Sequence, residues 1–271
     1  MKLNIACVQI SSQNDMAYNT AKLVDFITQA AEKGADFITL PENTAFMAAN
    51  AEELRANTYF PEEHPFLNTM CDLAARLKNW LLIGSLAVKV NHSDKLANRS
   101  LLINDKGHVV TYYDKIHLYQ ASIQGGETHN EGNRFFPGDK LALADTPWGK
   151  VGMSICYDLR FPQMFRKMAK AGAGIITVPS AFTETTGIAH WHVLLRARAI
   201  ENGCYIVAPA QSGAHPASRK TYGHSLVVDP WGTIVLDGGE NEGINVVGID
   251  TDLVSQVRQQ LPSLEHDRDF F

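Results

Sequence analysis

The stretch GADFITLPEN (residues 34–43) returns in altered form as GAGIITVPSA (172–181). Both copies carry Gly-Ala at a helix exit, an Ile-Thr pair inside a short apolar run and a proline that ends the run. Two such units so far apart are no solenoid period, because a stacked repeat array needs a short, regular spacing. They predict two similar halves, each a helix layer on a sheet, brought face to face. Around each copy the pattern alternates between strand and helix. KLNIACVQI reads as a first strand, and NTAKLVDFITQAAEKGA puts Leu23, Phe26, Ile27 and Ala30 on one helical face with Gly34 as its stop. HPFLNTMCDLAARLKNW reads as a second helix, and WLLIGSLAVKV, ANRSLLIND and HVVTYYDKIHL as hairpin strands. After residue 150 the alternation resumes and closes on further hairpins and a last helix, DLVSQVRQQL. The fold class expected is α/β, a four-layer α-β-β-α sandwich with internal two-fold pseudo-symmetry. With no linker-like composition shift, residues 1–271 are expected to form one domain.

Charge and cysteine usage narrow the function. The formal charge of −5 offers no basic face for nucleic acid, and no segment is long and apolar enough for a membrane span or signal peptide. Cys7, Cys71, Cys156 and Cys204 lie far apart without C-x-x-C spacing, so neither a zinc knuckle nor a disulfide framework is expected. The expectation is a reduced, cytoplasmic protein. The N-x-S sequons at Asn91 and Asn98 then carry no meaning.

Reactive groups in sheet proteins sit at strand ends, where the scaffold fixes the backbone and the side chain emerges into a crevice. Three such positions stand out: Glu42 after FITLP, Lys115 after VVTYYD and Cys156 after VGMSI. Singly they read as a loop acid, a surface cation and a small buried hydrophobe. Together they supply a base, a cation and a nucleophile. A thiol attacks carbon as its thiolate, and a carboxylate can take the proton if burial raises its pKa towards neutrality. A lysine ammonium beside the attacked carbon, with the N–H of Tyr157 as a second donor, would stabilise a tetrahedral oxyanion; each such donor is worth roughly 3 kcal/mol.

LPEN, YDKIHL and CYDLRFP, in this order and spacing, resemble the Glu-Lys-Cys motifs of the nitrilase superfamily of carbon–nitrogen hydrolases. The resemblance runs over nearly the whole chain, to LPSLEHDRDF. It implies Glu42 as general base, Lys115 as stabilising cation and Cys156 as nucleophile. It also implies a second glutamate, assigned to Glu131 in NEGNRFFPGD, with Glu127 in GGETHN as its rival. The stretch SAFTETTGIAHWHVLLRARAIENGCYIVAPAQSG is similar to the Nit amidase branch, closer to deaminated glutathione amidases than to ω-amidases acting on 2-oxoglutaramate. The resemblance further implies the sandwich fold, a homodimer or higher homo-oligomer, and hydrolysis of a small amide through a Cys156 thioester with loss of ammonia. Asp114 departs from the pattern, an arginine being frequent there, and this is expected to retune the pocket. Nitrile hydrolysis, N-carbamoyl amine hydrolysis and a non-catalytic scaffold are the competing readings.

Other residues carry less. His190 and His192 in AHWHV project from different faces of a helix, so no metal is expected from that pair, and Trp191 is expected beside the pocket. His117 would share a face with Lys115 if its strand continued, which makes it the rival base. AGAGII enters a strand and lacks G-K-[ST], so no nucleotide or other cofactor is implied. Arg198 and Glu201 are expected to pair on the surface. Arg219 and Lys220 read as solvated charges or as partners of an anionic substrate. Phe182, Thr183 and Thr186 are expected to line the pocket.

Overall fold

The computed structural model describes residues 1–91, 93–122 and 128–268. Along the chain, strand β1 (Lys2–Gln9) and helix α1 (Met16–Glu32) lead to β2 (Phe37–Thr39). Helices α2 (Ala51–Ala56) and α3 (Pro65–Leu77) lead to β3 (Trp80–Val90), β4 (Ser93–Ile103) and β5 (Val109–Asp114). A ribbon of β6 (Gln120–Ser122) and β7 (Thr128–Asn130) precedes β8 (Ala142–Thr146) and β9 (Gly149–Met153). Then come α4 (Pro162–Lys170), β10 (Ala173–Thr177), α5 (Glu184–Asn202) and β11 (Tyr205–Ala208). A second ribbon, β12 (Ser212–Ala214) and β13 (Lys220–Tyr222), is followed by β14 (Leu226–Val228), β15 (Ile234–Asp237), β16 (Gly243–Asp250) and α6 (Asp252–Gln260).

Local chemistry fixes the helix ends. The Asp15 carboxylate accepts the Tyr18 N–H at 2.9 Å to cap α1. Proline opens both α3 and α4, where its missing N–H costs nothing. Gly203, with φ at +53°, closes α5.

Among the described residues the long strands form two six-stranded sheets, ordered β16-β1-β2-β3-β4-β5 and β8-β9-β10-β11-β14-β15. The two match strand for strand. β1, β2 and β3 run parallel, as do β9, β10 and β11, and antiparallel strands flank both trios. The repeated sequence unit is β2 in one sheet and β10 in the other, so the echo is the imprint of the pseudo-symmetry.

Side-chain alternation along β1 shows the layering. Leu3, Ile5 and Cys7 join the core cluster that holds Val151, Met153 and Ile176 of the other sheet. Ala6, Val8 and Ile10 pack with Leu23 and Ile27 of α1 and Phe66 and Met70 of α3. Helices α4 and α5 cover the outer face of the second sheet through Phe165, Met168, Leu195 and Ala199. The result is the α-β-β-α sandwich. Residues 119–140 contain the β6–β7 ribbon and a 3-10 turn at Glu131–Asn133.

Candidate active site

Glu42 reaches the interior because β3 lets its backbone pass. A Cβ at Gly84 would stand 2.0 Å from the Leu40 carbonyl oxygen and 2.3 Å from that of Pro41. Asn43, at φ +55°, then turns the chain, with its N–H donated to Ser85 Oγ at 2.9 Å. The same device serves Lys115: a Cβ at Gly138 would meet the Asp114 carbonyl oxygen at 2.2 Å, and the Gly138 N–H donates to the Lys115 carbonyl at 2.9 Å.

Glu42 and Lys115 are each only 1% exposed. Two ions cannot be held so deep unless each is paired and hydrogen-bonded. Lys115 Nζ donates to Glu42 Oε1 at 2.8 Å and lies 2.9 Å from Glu131 Oε2. Glu42 Oε1 also accepts from Asn98 Nδ2 at 3.0 Å, and its Oε2 accepts the Ala181 N–H at 2.9 Å. Glu131 is clasped by Tyr119, whose N–H donates to its carboxylate at 2.8 Å and whose carbonyl accepts the Glu131 N–H at 2.9 Å. Asn98, one of the two sequon asparagines, is therefore a buried partner of Glu42.

Cys156 follows β9 and begins a 3-10 turn, Cys156–Arg160. Its φ is +48°, a left-handed conformation that costs a non-glycine residue roughly 1–2 kcal/mol. Two anchors hold it there. The Cys156 N–H donates to the Pro179 carbonyl at 3.0 Å. Asp158, fully buried, accepts from the Ile155 N–H at 2.8 Å, the Tyr113 hydroxyl at 2.8 Å and the His117 N–H at 3.1 Å. Asp158 so ties the turn after β9 to the segment after β5, and the cysteine to its lysine.

The electrostatics differ from the expectation of a glutamate raised towards neutrality. Burial does push the Glu42 carboxyl up, but the Lys115 ammonium, the charge of Arg219 and the Ala181 N–H outweigh it, and its pKa lies below the ordinary 4.5. Burial would lower Lys115, yet Glu131 and Glu42 hold its pKa above the ordinary 10.5. Burial and the Glu42 charge raise the Cys156 thiol, with Lys115 opposing. The resting set is a carboxylate, an ammonium and a neutral thiol.

A cleft of about 310 Å³ gathers the anticipated residues: Glu42, Lys115, Glu131 and Cys156 line it together with Tyr157, Phe182, Thr183 and Thr186. Glu127 lies outside the described residues. Tyr119, Arg160 and Arg219 also line the cleft. The first two escaped the sequence reading, although Arg160 stands four residues past Cys156, on the turn that Cys156 itself opens. Arg219 donates to the Ala181 carbonyl at 2.9 Å, while its Nε is buried with no acceptor among the described residues. Lys220, its neighbour in sequence, is exposed.

Three expectations change. His117 does not continue the strand, because β5 ends at Asp114. Its Nδ1 lies 2.7 Å from Asp158 and its ring stacks on Phe161 at 3.6 Å, outside the cleft lining. Asp114 pairs with Arg99 through two hydrogen bonds of 2.7 and 2.8 Å and is likewise absent from that lining. Arg198 does pair with Glu201 at 2.8 Å, but it is buried, with its Nε donating to the Leu159 carbonyl at 3.0 Å. Trp191 packs on Phe182 at 5.1 Å, beside the cleft as expected.

Two facing sheets that share a buried cysteine, lysine and glutamate are the architecture of carbon–nitrogen hydrolases. The carbon-nitrogen hydrolase family model matches residues 4–259, and the chain belongs to that family. It is 39% identical over 265 residues to the deaminated glutathione amidase of Synechocystis sp., covering 96% of both chains. Its fold superposes on Saccharomyces cerevisiae Nit3, a member of branch 10 of the nitrilase superfamily, with a TM-score of 0.87, 31% identity and coverage of 96% and 94%. The C. elegans NitFhit protein gives a TM-score of 0.90 at 37% identity over 98% of this chain, which spans 65% of NitFhit.

Proposed function

We propose that residues 1–271 form one catalytic unit, a cofactor-free amidase that works through a Cys156 thioester and takes deaminated glutathione as its substrate. The observation that carries the chemistry is the buried array in which Lys115 bridges Glu42 and Glu131 beside a cysteine held at positive φ. The charge of Glu42 acts on the thiol. It takes the Sγ proton as sulfur attacks the amide carbon. The Lys115 ammonium and the Tyr157 N–H receive the charge on the tetrahedral oxygen. Glu42 then gives its proton to the departing amine as the C–N bond breaks, leaving the acyl group on Sγ. Water, deprotonated by Glu42, adds to the thioester; the carbon–sulfur bond breaks, and the thiolate recovers its proton from Glu42. Glu131 holds the ammonium in place between the two steps.

The substrate reading rests on the likeness to deaminated glutathione amidases and on charge in the cleft. Arg160 and Arg219 line it, and both ends of deaminated glutathione carry a carboxylate. An adjoining cleft shares Tyr119, Glu131 and Arg219 with the first. The scissile bond in deaminated glutathione ends at the cysteine nitrogen, so the amine that leaves is cysteinylglycine. Ammonia leaves only from a primary amide such as 2-oxoglutaramate. By resemblance we further place the enzyme in the cytoplasm as a homodimer or larger homo-oligomer.

The test offers the purified protein deaminated glutathione, 2-oxoglutaramate, an N-carbamoyl amine and a simple nitrile, with Cys156→Ala alongside. Each product is followed separately, 2-oxoglutarate with cysteinylglycine for the first and ammonia for the others. Preferred turnover of deaminated glutathione, lost in the variant, supports the whole reading. Preference for another compound keeps the mechanism and removes the substrate. Equal inactivity of wild type and variant on all four favours the scaffold.

A further inference from the structure

Outside the cleft, two histidines and a carboxylate from three separate elements converge. His192 projects from α5, His224 precedes β14, and Asp237 ends β15. His224 Nδ1 lies 2.8 Å from Asp237 Oδ1, and His192 Nε2 lies 3.1 Å from Asp237 Oδ2. One carboxylate thus faces both rings, each with its own oxygen, and the three candidate ligand atoms lie within 4.8 Å of one another.

The rings are held in place. His224 takes φ +53°, its N–H donates to the Gly239 carbonyl at 2.6 Å, and its own carbonyl accepts Trp191 Nε1 at 2.8 Å. The imidazole of His224 stacks on Tyr222 with centroids 4.4 Å apart, and His192 meets both rings edge-on at 5.1 and 5.9 Å. Asp237 is oriented in turn by the Gly239 N–H at 2.9 Å. The negative field of Asp237 and Glu240 acts on the adjacent Tyr222.

We propose that His192, His224 and Asp237 form a binding site for a divalent cation of the zinc class, separate from the catalytic cleft, which fastens α5 to the β14–β15 hairpin. Two imidazoles and one carboxylate make a donor set that suits zinc, and partial exposure of all three side chains, between 19% and 37%, leaves a coordination position for water. Each ring would ligate the ion through the nitrogen that faces the carboxylate, Nε2 of His192 and Nδ1 of His224, as a neutral imidazole with its proton on the other nitrogen. Sequence spacing excluded His190 with His192 as a pair, and His190 does turn elsewhere, its Nδ1 lying 3.3 Å from Arg160 Nη1. The partners of His192 come from the far end of the chain, beyond the reach of local spacing. Because Trp191 bridges His224 and Phe182, the site backs directly onto one wall of the cleft.

The test uses the full chain carrying Cys156→Ala, since the cleft thiol is itself a zinc ligand. Titration calorimetry with zinc chloride should reveal one site, and His192→Ala or Asp237→Asn in the same background should weaken it at least about tenfold. Zinc should also raise the thermal midpoint of the parent and leave both variants unmoved. Asp237→Asn keeps the side-chain shape at an exposed position, so a folded variant is available even if His192→Ala destabilises α5. No saturable binding up to about 1 mM zinc, or equal affinity in parent and variants, would overturn the proposal.

Discussion

One ammonium between two carboxylates decides what Glu42 can be. With Lys115 at 2.8 Å the carboxyl is ionised well into acid, so the proposed base is ready without any neutral-range titration. The sign follows directly: a base with a depressed pKa is competent above that pKa and fails as pH falls through it. The acid limb of kcat/KM should therefore lie below pH 4.5, the ordinary value for a glutamate. Initial rates at each pH, with folding checked by circular dichroism, would show it; a limb near pH 6 would mean that burial dominates. Glu42→Gln should abolish thioester formation while the chain still folds, and near-normal turnover in the folded variant would remove Glu42 as base. Arg219 answers to a different test. A buried guanidinium N–H without an acceptor is a donor waiting for an anion. Arg219→Met should raise KM for an anionic amide by roughly 10- to 100-fold and leave that for a neutral amide nearly unchanged. Glu42, Lys115 and Cys156 were visible in sequence because each follows a recognisable strand. Asn98 and Asp158 were not, because a hydrogen bond across sheets leaves no local pattern.

At the scale of elements, the turn after β9 joins a strained residue to several supports. Removing the Asp158 carboxylate orphans the Ile155 N–H, the Tyr113 hydroxyl and the His117 backbone at once. Asp158→Ala should cost about 3 kcal/mol, a drop of roughly 6–12 °C in thermal midpoint. It should also slow Cys156 alkylation, because the αL turn loses its brace. A melting point within two degrees or so of wild type would show the turn to be held by Pro179 alone. The strands and helices themselves were legible from apolar periodicity and from the stop at Gly34. What periodicity missed was where a strand stops: HVVTYYDKIHL carries the strand reading four residues too far, past His117, since nothing in YDKIHL marks the end of β5 at Asp114. Arg198 was read as exposed for a similar reason, because α5 is covered on a side that its own sequence does not declare.

For the whole molecule, acid stability is set by histidines away from the cleft. Burial lowers the pKa of both His64 and His215 from 6.5 to about 4. His215 bonds to the Ser12 carbonyl at 2.9 Å and to Thr221 Oγ1 at 2.7 Å, a pattern that the neutral ring satisfies. A histidine depressed on folding favours the folded state fully above pH 6.5, and that stability drains away as pH falls towards 4. Each contributes roughly 3 kcal/mol over this interval. Urea midpoints measured from pH 7 to pH 4 should fall accordingly, with a shallower fall in His215→Gln; a flat profile would contradict the assignment.

The matched sheets have a further consequence. Glu42 and Lys115 hang from one sheet, and Cys156 from the other. Under the proposed chemistry, neither half owns a working nucleophile. The first sheet by itself carries a base with nothing to deprotonate, and a molecule pried open along its midline carries an ordinary, sluggish thiol. Damage therefore fails silent: the opened protein loses its power to acylate itself at the same moment that it exposes the sulfur to the rest of the cell.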